Sequence, residues 1–573
     1  MSTVKGLLNF DLRSIPFSRY GSYLAFSELG ATEVHPAGLY LRTIHGDAAH
    51  RALARIELMQ DGNPLPFSVS ASPANLRLQA ANGLAEFCFD GPDVVRLHTH
   101  NISVRLTLAA RMYDYAFPAG EGRWQLNCAS SSIQLILTPL AGQLEVDAPW
   151  NVINSERMVA TLQPDSAGEG EAAIEAFSSS WEPRTYPTPF TDCVAAVEQE
   201  FCQWLEAVPA LPAEYAAARE LAAYVNWASV VAPAGNLKRP AMLMSKNWMC
   251  NVWSWDHCFN ALALANQDPA LSWAQMMIPF DAQNEQGALP DLVSDCSQIW
   301  GFCKPPVHGW FLRLMMERTK WITPQHLAEI YDPLCRWTNW WFTYRDSDGD
   351  GLPQYQHGND SGWDNATPFR AGLPLEGPDL AAFLILQMDT LAEVAARLSK
   401  PSEAEGWKQR SADLLARLFQ HSWRGTGFVA PRSGDHQTYT GGDSLFLFLP
   451  LLLGERLPAD VRSTLLAGLQ QPARFLTAHG LATESTSSPY YDPDGYWRGP
   501  IWAPPTLIFV EALRSIGQQG LTHDLARRFC DLVASSACMA ENYNALSGEP
   551  LRDKAYTWTS STFLLLGQSL LPA

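Results

Sequence analysis

The chain has 573 residues and a formal net charge of −19, with 40 Lys and Arg residues against 59 Asp and Glu residues. This length exceeds what one hydrophobic core usually holds, so at least two domains are expected. The negative charge disfavours nucleic acids and acidic membrane surfaces as partners, because both are polyanions. The sequence lacks a secretory apolar segment at its start and any stretch that could cross a bilayer, which predicts a cytoplasmic protein.

The first 180 residues are predicted to form an antiparallel β-sandwich domain. Residues 102–108 alternate apolar and polar side chains, which places one set of them on a buried face. Asn82-Gly83 separates two short apolar runs and indicates a hairpin, because both residues tolerate a positive φ. Similar runs recur with turn residues between them, which is the rhythm of a sandwich.

A Pro-containing linker is predicted over residues 181–194, and a helical domain over 195–573. Apolar residues after Pro378-Asp379 fall on one helical stripe, and Ser402 with Glu405 has the pattern of a capping box. Helices are also predicted over 197–207 and 522–538. The domain is long enough for about twelve helices of ordinary length.

Four polar segments rich in Trp and Tyr interrupt the helical half. They are residues 253–259 (WSWDHCF), 359–365 (NDSGWDN), 496–502 (YWRGPIW) and 541–544 (ENYN). Each combines aromatic rings with carboxylates or amides, and sugars bind to sites of that composition. Glycosidic cleavage needs one protonated and one ionised carboxyl group beside the scissile bond. The segments therefore favour a carbohydrate-active site.

Taken in this order, the segments resemble glycoside hydrolase family 63, which includes α-glucosidases and the mannosylglycerate and glucosylglycerate hydrolases. The resemblance covers residues 240–570 and implies an (α/α)6 barrel that follows the β-sandwich. It also implies an inverting hydrolase of an α-glycosidic bond, foremost an α-glucosidic one, that requires no cofactor. Exo action is expected because loops this rich in Trp tend to close a pocket. Asp364, in the Ser-Gly-X-Asp motif, corresponds to the general acid. Glu541, in the Glu-Asn-Tyr motif, corresponds to the general base.

The same segments and their neighbours supply the predicted substrate-binding residues. These are Trp253, Trp255, Asp256, Phe259, Asp291, Trp310, Asp360, Trp363, Tyr496, Trp497, Arg498 and Trp502. Core packing is the alternative for each Trp among them, and a purely structural role is also the alternative for Asp291, Asp360 and Arg498. The expected partner is a small saccharide or glycoside.

The two carboxyl groups have plausible structural alternatives as well. Asp364 could cap a helix, and Glu541 could be a solvated charge at a helix end. In the catalytic interpretation, Trp363 desolvates Asp364 and keeps its proton in place, while Asn542 and Tyr543 polarise Glu541. The chain departs from the family after Glu541, where residues 548–552 (GEPLR) replace a glycine-rich continuation.

Residues 346–352 (DSDGDGL) begin like a calcium-binding loop. Asp346, Asp348 and Asp350 stand at alternate positions, with Gly351 at the sharp turn. Position twelve is His357 rather than Glu. The segment therefore predicts either a structural calcium site or a plain turn before Asp364.

Three other functions remain open from the sequence. A trehalase-like hydrolase and an inverting phosphorylase could share the same architecture. The phosphorylase needs no carboxylate base, so dependence on phosphate would distinguish it. A catalytically silent sugar-binding protein is the alternative outside the enzymes, and any turnover would exclude it.

Overall fold

The computed structural model describes residues 8–46 and 51–572, and their packing divides the chain into two units. The first unit contains the described residues up to Ala207, with Ala223–Ala234 and Ser245–Cys250. The second contains Val208–Ala222, Gly235–Met244 and the rest of the chain from Asn251.

The first unit is built on fifteen strands within the described residues. They are β1 (Leu24–Leu29), β2 (Gly38–Thr43), β3 (Ala52–Gln60), β4 (Asn63–Leu65), β5 (Ser68–Ala71), β6 (Leu76–Gln79), β7 (Leu84–Phe89), β8 (Val94–His100), β9 (Ser103–Leu108), β10 (Tyr115–Gly120), β11 (Arg123–Cys128), β12 (Ile133–Ala141), β13 (Gln143–Asp147), β14 (Met158–Gln163) and β15 (Glu169–Phe177).

These strands form two antiparallel sheets. One has the order β1-β2-β3-β9-β14-β13, with β4 also paired to β3, and the other has the order β10-β11-β12-β15-β8-β7-β6-β5. The sheets face each other through aromatic contacts, since Phe26 of the first lies with its ring centroid 5.1 Å from that of Phe87 in the second. The β-rich N-terminal region is therefore confirmed.

The predicted hairpin forms, but for a different reason from the one expected. Strands β6 and β7 pair across residues 80–83, and Ala80 N–H donates to Gly83 O. Neither Asn82 nor Gly83 has a positive φ. A side chain at Gly83 would instead lie 2.7 Å from Ile102 Cβ. Close packing, rather than backbone freedom, requires glycine here.

Twelve α-helices occur in the described residues. They are α1 (Phe190–Ala207), α2 (Ala216–Ser229), α3 (Asp256–Leu264), α4 (Pro269–Asp281), α5 (His308–Arg318), α6 (Pro324–Tyr344), α7 (Pro378–Arg397), α8 (Pro401–Ser422), α9 (Ala459–Leu469), α10 (Ala503–Ser515), α11 (Gln519–Ser536) and α12 (Thr557–Gln568). None of the described helices is both long enough and apolar enough to cross a membrane.

The sequence located several of these helices, and one predicted cap is wrong. Helix α7 begins at Pro378 as expected. Helix α8 begins at Pro401 rather than after Ser402, and Lys400 precedes it without a side-chain cap bond. Proline is favoured at the first helical position because it has no N–H to satisfy there. Ser402 therefore lies inside the helix, and no capping box forms.

Eight short strands complete the fold. They are β16 (Val230–Val231), β17 (Ala241–Met242), β18 (Val252–Trp253), β19 (Leu292–Val293), β20 (Gln298–Ile299), β21 (Ile501–Trp502), β22 (Asn542–Tyr543) and β23 (Pro550–Leu551). The strands β18-β19-β20 form one sheet and β21-β22-β23 another, both within the second unit. These two sheets carry parts of three of the four polar-aromatic segments, and residues 359–365 lie outside them.

Candidate active site

The sheet β21-β22-β23 joins two of the four segments. Trp502, at the end of the 496–502 segment, pairs with Asn542, the residue after Glu541. Strand β22 pairs in turn with β23, so the 548–552 turn returns beside Glu541. Backbone pairing therefore fixes the position of Glu541 next to the Tyr-Trp-Arg segment.

The segment that carries Asp364 is fastened to the same place. The Asn365 amide donates a hydrogen bond to Gly495 O at 3.0 Å, and its oxygen accepts one from Trp497 N–H at 2.9 Å. The rings of Trp363 and Trp497 lie with centroids 5.0 Å apart. These contacts bring the third segment against the second.

The first segment completes the cluster through Trp255. Gly362 has φ +72°, and a Cβ there would lie 2.6 Å from the Trp255 ring. Trp255 also contacts Trp497, with centroids 6.4 Å apart. All four segments predicted from the sequence therefore meet in the second unit, although they are spread over 292 residues (253 to 544).

Two carboxyl groups in the cluster are almost completely buried. Asp256, at the start of α3, is 2% exposed and Glu541 is 6% exposed. Burial raises the pKa of Asp256 to about 8, and the Lys304 charge opposes this rise. Burial likewise raises the pKa of Glu541 to about 7, with repulsion from Asp553 and Asp364 added to it and attraction from Arg552 opposing it. Glu541 and Asp364 are thus close enough to interact electrostatically.

Asp364 itself is only partly buried. The desolvation that the sequence suggested for Asp364 falls more heavily on Glu541 and Asp256. Nor does Asp364 cap a helix, because the short helix that follows is preceded by Ala366. Asp364 therefore has no capping role.

The neighbours of Glu541 act differently from the expectation. The Asn542 amide oxygen accepts a hydrogen bond from Arg552 at 3.1 Å, and the Tyr543 hydroxyl donates to Cys538 O at 3.3 Å. Both side chains fix the turn instead of polarising the carboxylate. Arg552, which the sequence analysis did not single out, stacks 4.9 Å from the Tyr496 ring centroid. It belongs to the GEPLR stretch that departs from the family pattern.

Asp360 is held by protein donors. It is 1% exposed and accepts hydrogen bonds from Arg345 at 2.8 Å, from the backbone N–H groups of Gln356 and His357, and from Cys303 N–H. These bonds use both carboxylate oxygens. Asp360 therefore anchors the loop that leads to Asp364.

Asp291 lies beside the first segment and forms a buried ion pair. Its carboxylate is 3.0 Å from the Lys304 ammonium, which also donates to Asn359 O at 2.9 Å. Burial raises the pKa of Asp291, and Lys304 opposes this rise. Sequence reasoning missed Lys304 as a site residue, although the lone lysine that opens residues 304–310 (KPPVHGW) was a usable signal.

The remaining predicted residues occupy varied positions. Trp253 is half-buried in β18, and Phe259 is fully buried against Phe311. Trp310 lines a separate cavity of about 590 Å³ together with Arg313 and Glu317. None of the carboxyl groups of the cluster lines that cavity.

Two residues of the Tyr-Trp-Arg segment make their contacts within the protein. Arg498 approaches Asp492 at 3.9 Å, and Trp502 stacks on Trp497 with centroids 4.0 Å apart. Tyr496 is half-buried and adopts a positive φ of 64°. Strained backbone of this kind occurs where the surrounding structure holds a side chain in a required direction.

The aspartate loop has the hydrogen bonds of a tight turn. Asp346 accepts hydrogen bonds from Gly349 N–H and Gly351 N–H, both at 3.0 Å, and Asp350 accepts one from Leu352 N–H at 2.8 Å. Oxygen atoms of Asp346, Asp348 and Asp350 nevertheless lie within 4.8 Å of one another. Calcium binding at this loop stays a prediction.

Comparison with known proteins supports the enzymatic interpretation. The model of the mannosylglycerate hydrolase MGH1-like glycoside hydrolase domain matches residues 249–559. The chain is similar to a glucosylglycerate hydrolase of Mycolicibacterium hassiacum, at 23% identity over 55% of this chain and 91% of the relative.

Two solved structures share the fold. One is a GH63 mannosylglycerate hydrolase from Thermus thermophilus in complex with glucose, with a TM-score of 0.52 and 20% identity, which covers 61% of this chain and 98% of that one. The other is a bacterial glucoamylase complexed with acarbose, with a TM-score of 0.61 and 11% identity. It covers 100% of this chain and 96% of that one.

Proposed function

Because the chain belongs to the mannosylglycerate hydrolase MGH1-like glycoside hydrolase family, we propose that its substrate is a hexosyl glycerate. Mannosylglycerate and glucosylglycerate are the two candidates, since relatives and structural neighbours are named for both. The observation that carries the proposal is the convergence of all four segments on one set of carboxyl groups. The α-glucosidic bond predicted from the sequence corresponds to the second candidate.

Asp364 and Glu541 are the proposed catalytic pair of an inverting reaction. Asp364 is partly exposed, so it can reach the glycosidic oxygen and donate a proton as the bond breaks. Glu541 removes a proton from the water that attacks the opposite face of the sugar. Inversion requires about 6.5–9.5 Å between the two carboxyl groups, which leaves room for that water.

The sugar is proposed to bind between the first segment and Tyr496. Asp256 and the Asp291–Lys304 pair offer buried polar atoms for its hydroxyls, and an ion pair can both donate and accept hydrogen bonds. An (α/α)6 barrel consists of six helix pairs, and α3 to α12 are proposed to supply ten of its twelve helices around this site. We propose exo action on the expectation that the loops of the four segments close one end of the sugar-binding pocket.

A substrate panel with product analysis tests the proposal. Purified enzyme is given mannosylglycerate, glucosylglycerate, trehalose and other α-linked disaccharides, with and without phosphate, and NMR follows the anomer first released. The proposal expects hydrolysis of one glycerate glycoside without phosphate dependence and with release of the inverted anomer. Release of the retained anomer would refute the mechanism, and preference for trehalose would refute the substrate.

A further inference from the structure

A second cluster of ionisable side chains lies outside the candidate active site. It contains Asp350, Glu376, His421 and His436, whose potential ligand atoms all lie within 4.8 Å of one another. Three chain segments besides the aspartate loop contribute to it: the stretch before α7, the end of α8 and the loop that follows α8. Only Asp350 is shared with the predicted calcium loop.

Glu376 gives the independent sign that this cluster binds a ligand. Its side chain is 2% exposed, and neither carboxylate oxygen has a hydrogen-bond partner among the described residues. Oδ2 of Asp350 is likewise buried without a hydrogen bond from the described part of the chain. Buried carboxylate oxygens are normally satisfied, because leaving them unpaired costs a large desolvation free energy.

The spacing of the atoms suits a small cation. Nδ1 of His421 is 3.2 Å from Oδ2 of Asp350, and Nδ1 of His436 is 3.6 Å from Oε2 of Glu376. Ligands about 2.0–2.1 Å from a tetrahedral zinc ion lie roughly 3.3–3.4 Å from one another. The two observed separations lie on either side of that value.

The kinds of donor atom distinguish this cluster from a calcium site. Calcium takes oxygen ligands only, whereas imidazole nitrogen combined with carboxylate oxygen is typical of zinc and related transition metals. The aspartate loop adds negative charge, since Asp346 and Asp348 act electrostatically on Glu376. We propose that Asp350, Glu376, His421 and His436 bind one divalent transition-metal ion of the zinc class.

Such an ion would stabilise the segment that precedes Asp364. Leu375, next to Glu376, bridges Tyr355 on one side and Arg432 on the other. The ion would therefore join the turn at Asp350, 14 residues before the proposed acid, to these backbone bridges. It contacts no reacting atom, so its role is structural.

Calorimetric titration of the full chain, stripped of metal by a chelator, tests the proposal with ZnCl2 and CaCl2 as probes. One zinc ion should bind per chain, more tightly than calcium. His421→Ala and His436→Ala should each weaken zinc binding at least about 10-fold, since even the loss of supporting contacts around a metal costs that much. Both histidines are partly exposed, and thermal melts verify that the variants fold.

Asp346→Asn is the matched control, because Asp346 belongs to the calcium-like loop and not to the four-residue cluster. It should weaken zinc binding clearly less than either histidine variant, because it removes one negative charge near Glu376 but no proposed ligand. Absence of saturable zinc binding would show that the histidines form ordinary ion pairs and would overturn the proposal. Zinc binding that neither histidine variant weakens would also overturn it, as would calcium binding tighter than zinc that only Asp346→Asn abolishes.

Discussion

Replacing Glu541 by Gln should remove most hydrolytic activity and yet stabilise the protein at alkaline pH. Burial, with repulsion from Asp553 and Asp364, raises the pKa of this carboxyl from 4.5 to about 7. The folded state therefore holds the proton more tightly than the unfolded chain does. The resulting stabilisation is complete below pH 4.5 and is lost as the pH rises through about 7.

The size of the effect follows from the two pKa values. The difference between 4.5 and about 7 corresponds to about 3 kcal/mol of unfolding free energy once the group is ionised. At pH 8 the ionised Glu541 lowers the unfolding free energy of the wild-type protein by this amount, whereas the uncharged Gln of Glu541→Gln does not. Denaturant unfolding at pH 8 should therefore give a higher midpoint for the variant, and the gain should disappear towards pH 4.5.

Asp360→Asn is the control with the opposite sign. Asp360 is as deeply buried, but its oxygens are satisfied by Arg345 and three backbone N–H groups. The amide of Asp360→Asn would present a donor where one of these acceptors was and would leave the Arg345 guanidinium without its carboxylate. The unfolding free energy should therefore fall by about 3–5 kcal/mol. If Glu541→Gln lowers stability at pH 8 in the same way, Glu541 is a structural carboxylate and the desolvation argument is wrong.

Three further variants test other parts of the site. Asp364→Asn should lose about 10²–10⁴-fold activity on natural substrates. A glycosyl fluoride, whose leaving group needs no protonation, should restore much of the activity of Asp364→Asn but not that of Glu541→Gln. Equal rescue of both variants would contradict the acid and base roles. Arg552→Gln should move the acidic limb of the kcat/KM profile to higher pH, because the Arg552 charge lowers the pKa of Glu541, and an unmoved limb would argue against Glu541 as the base. Gly362→Ala should lower the unfolding free energy by about 1–3 kcal/mol in denaturant unfolding, because the residue has φ +72° and Trp255 would lie 2.6 Å from the new Cβ. Its control is Gly406→Ala, which lies inside α8 with open space around it and should stabilise the helix by about 1 kcal/mol.

The architecture was largely predictable, because it follows from local periodicity. The alternation over 102–108 reappears as the alternating burial of β9, and the apolar residues after Pro378 lie in α7, although that helix is buried on nearly all sides rather than along one stripe. Details that depend on a distant contact were not predictable. The need for glycine at position 83 comes from Ile102, and no local pattern around the hairpin indicates it.

The sequence predicted which segments form the site but not how deeply each of their side chains is buried. Motif similarity indicates which residues meet, whereas exposure depends on everything packed around them. Asp364 and Glu541 have similar aromatic neighbours in sequence, yet only Glu541 is almost fully buried. Arg552 was missed because a single cation has no periodicity and its partners lie elsewhere in the chain.

Four tryptophans of these segments contribute to the proposed sugar site by packing against one another rather than by contacting the sugar. Trp255, Trp363, Trp497 and Trp502 are each at most 2% exposed, and they contact one another in a continuous cluster. A ring buried to this degree presents no open face on which a pyranose could stack. The aromatic surface left for substrate is that of half-buried side chains, above all Tyr496, with Arg552 on one side of its ring. These four tryptophans therefore serve mainly to hold separate segments together, which fixes the carboxyl groups that those segments carry, as the proposed inverting reaction requires.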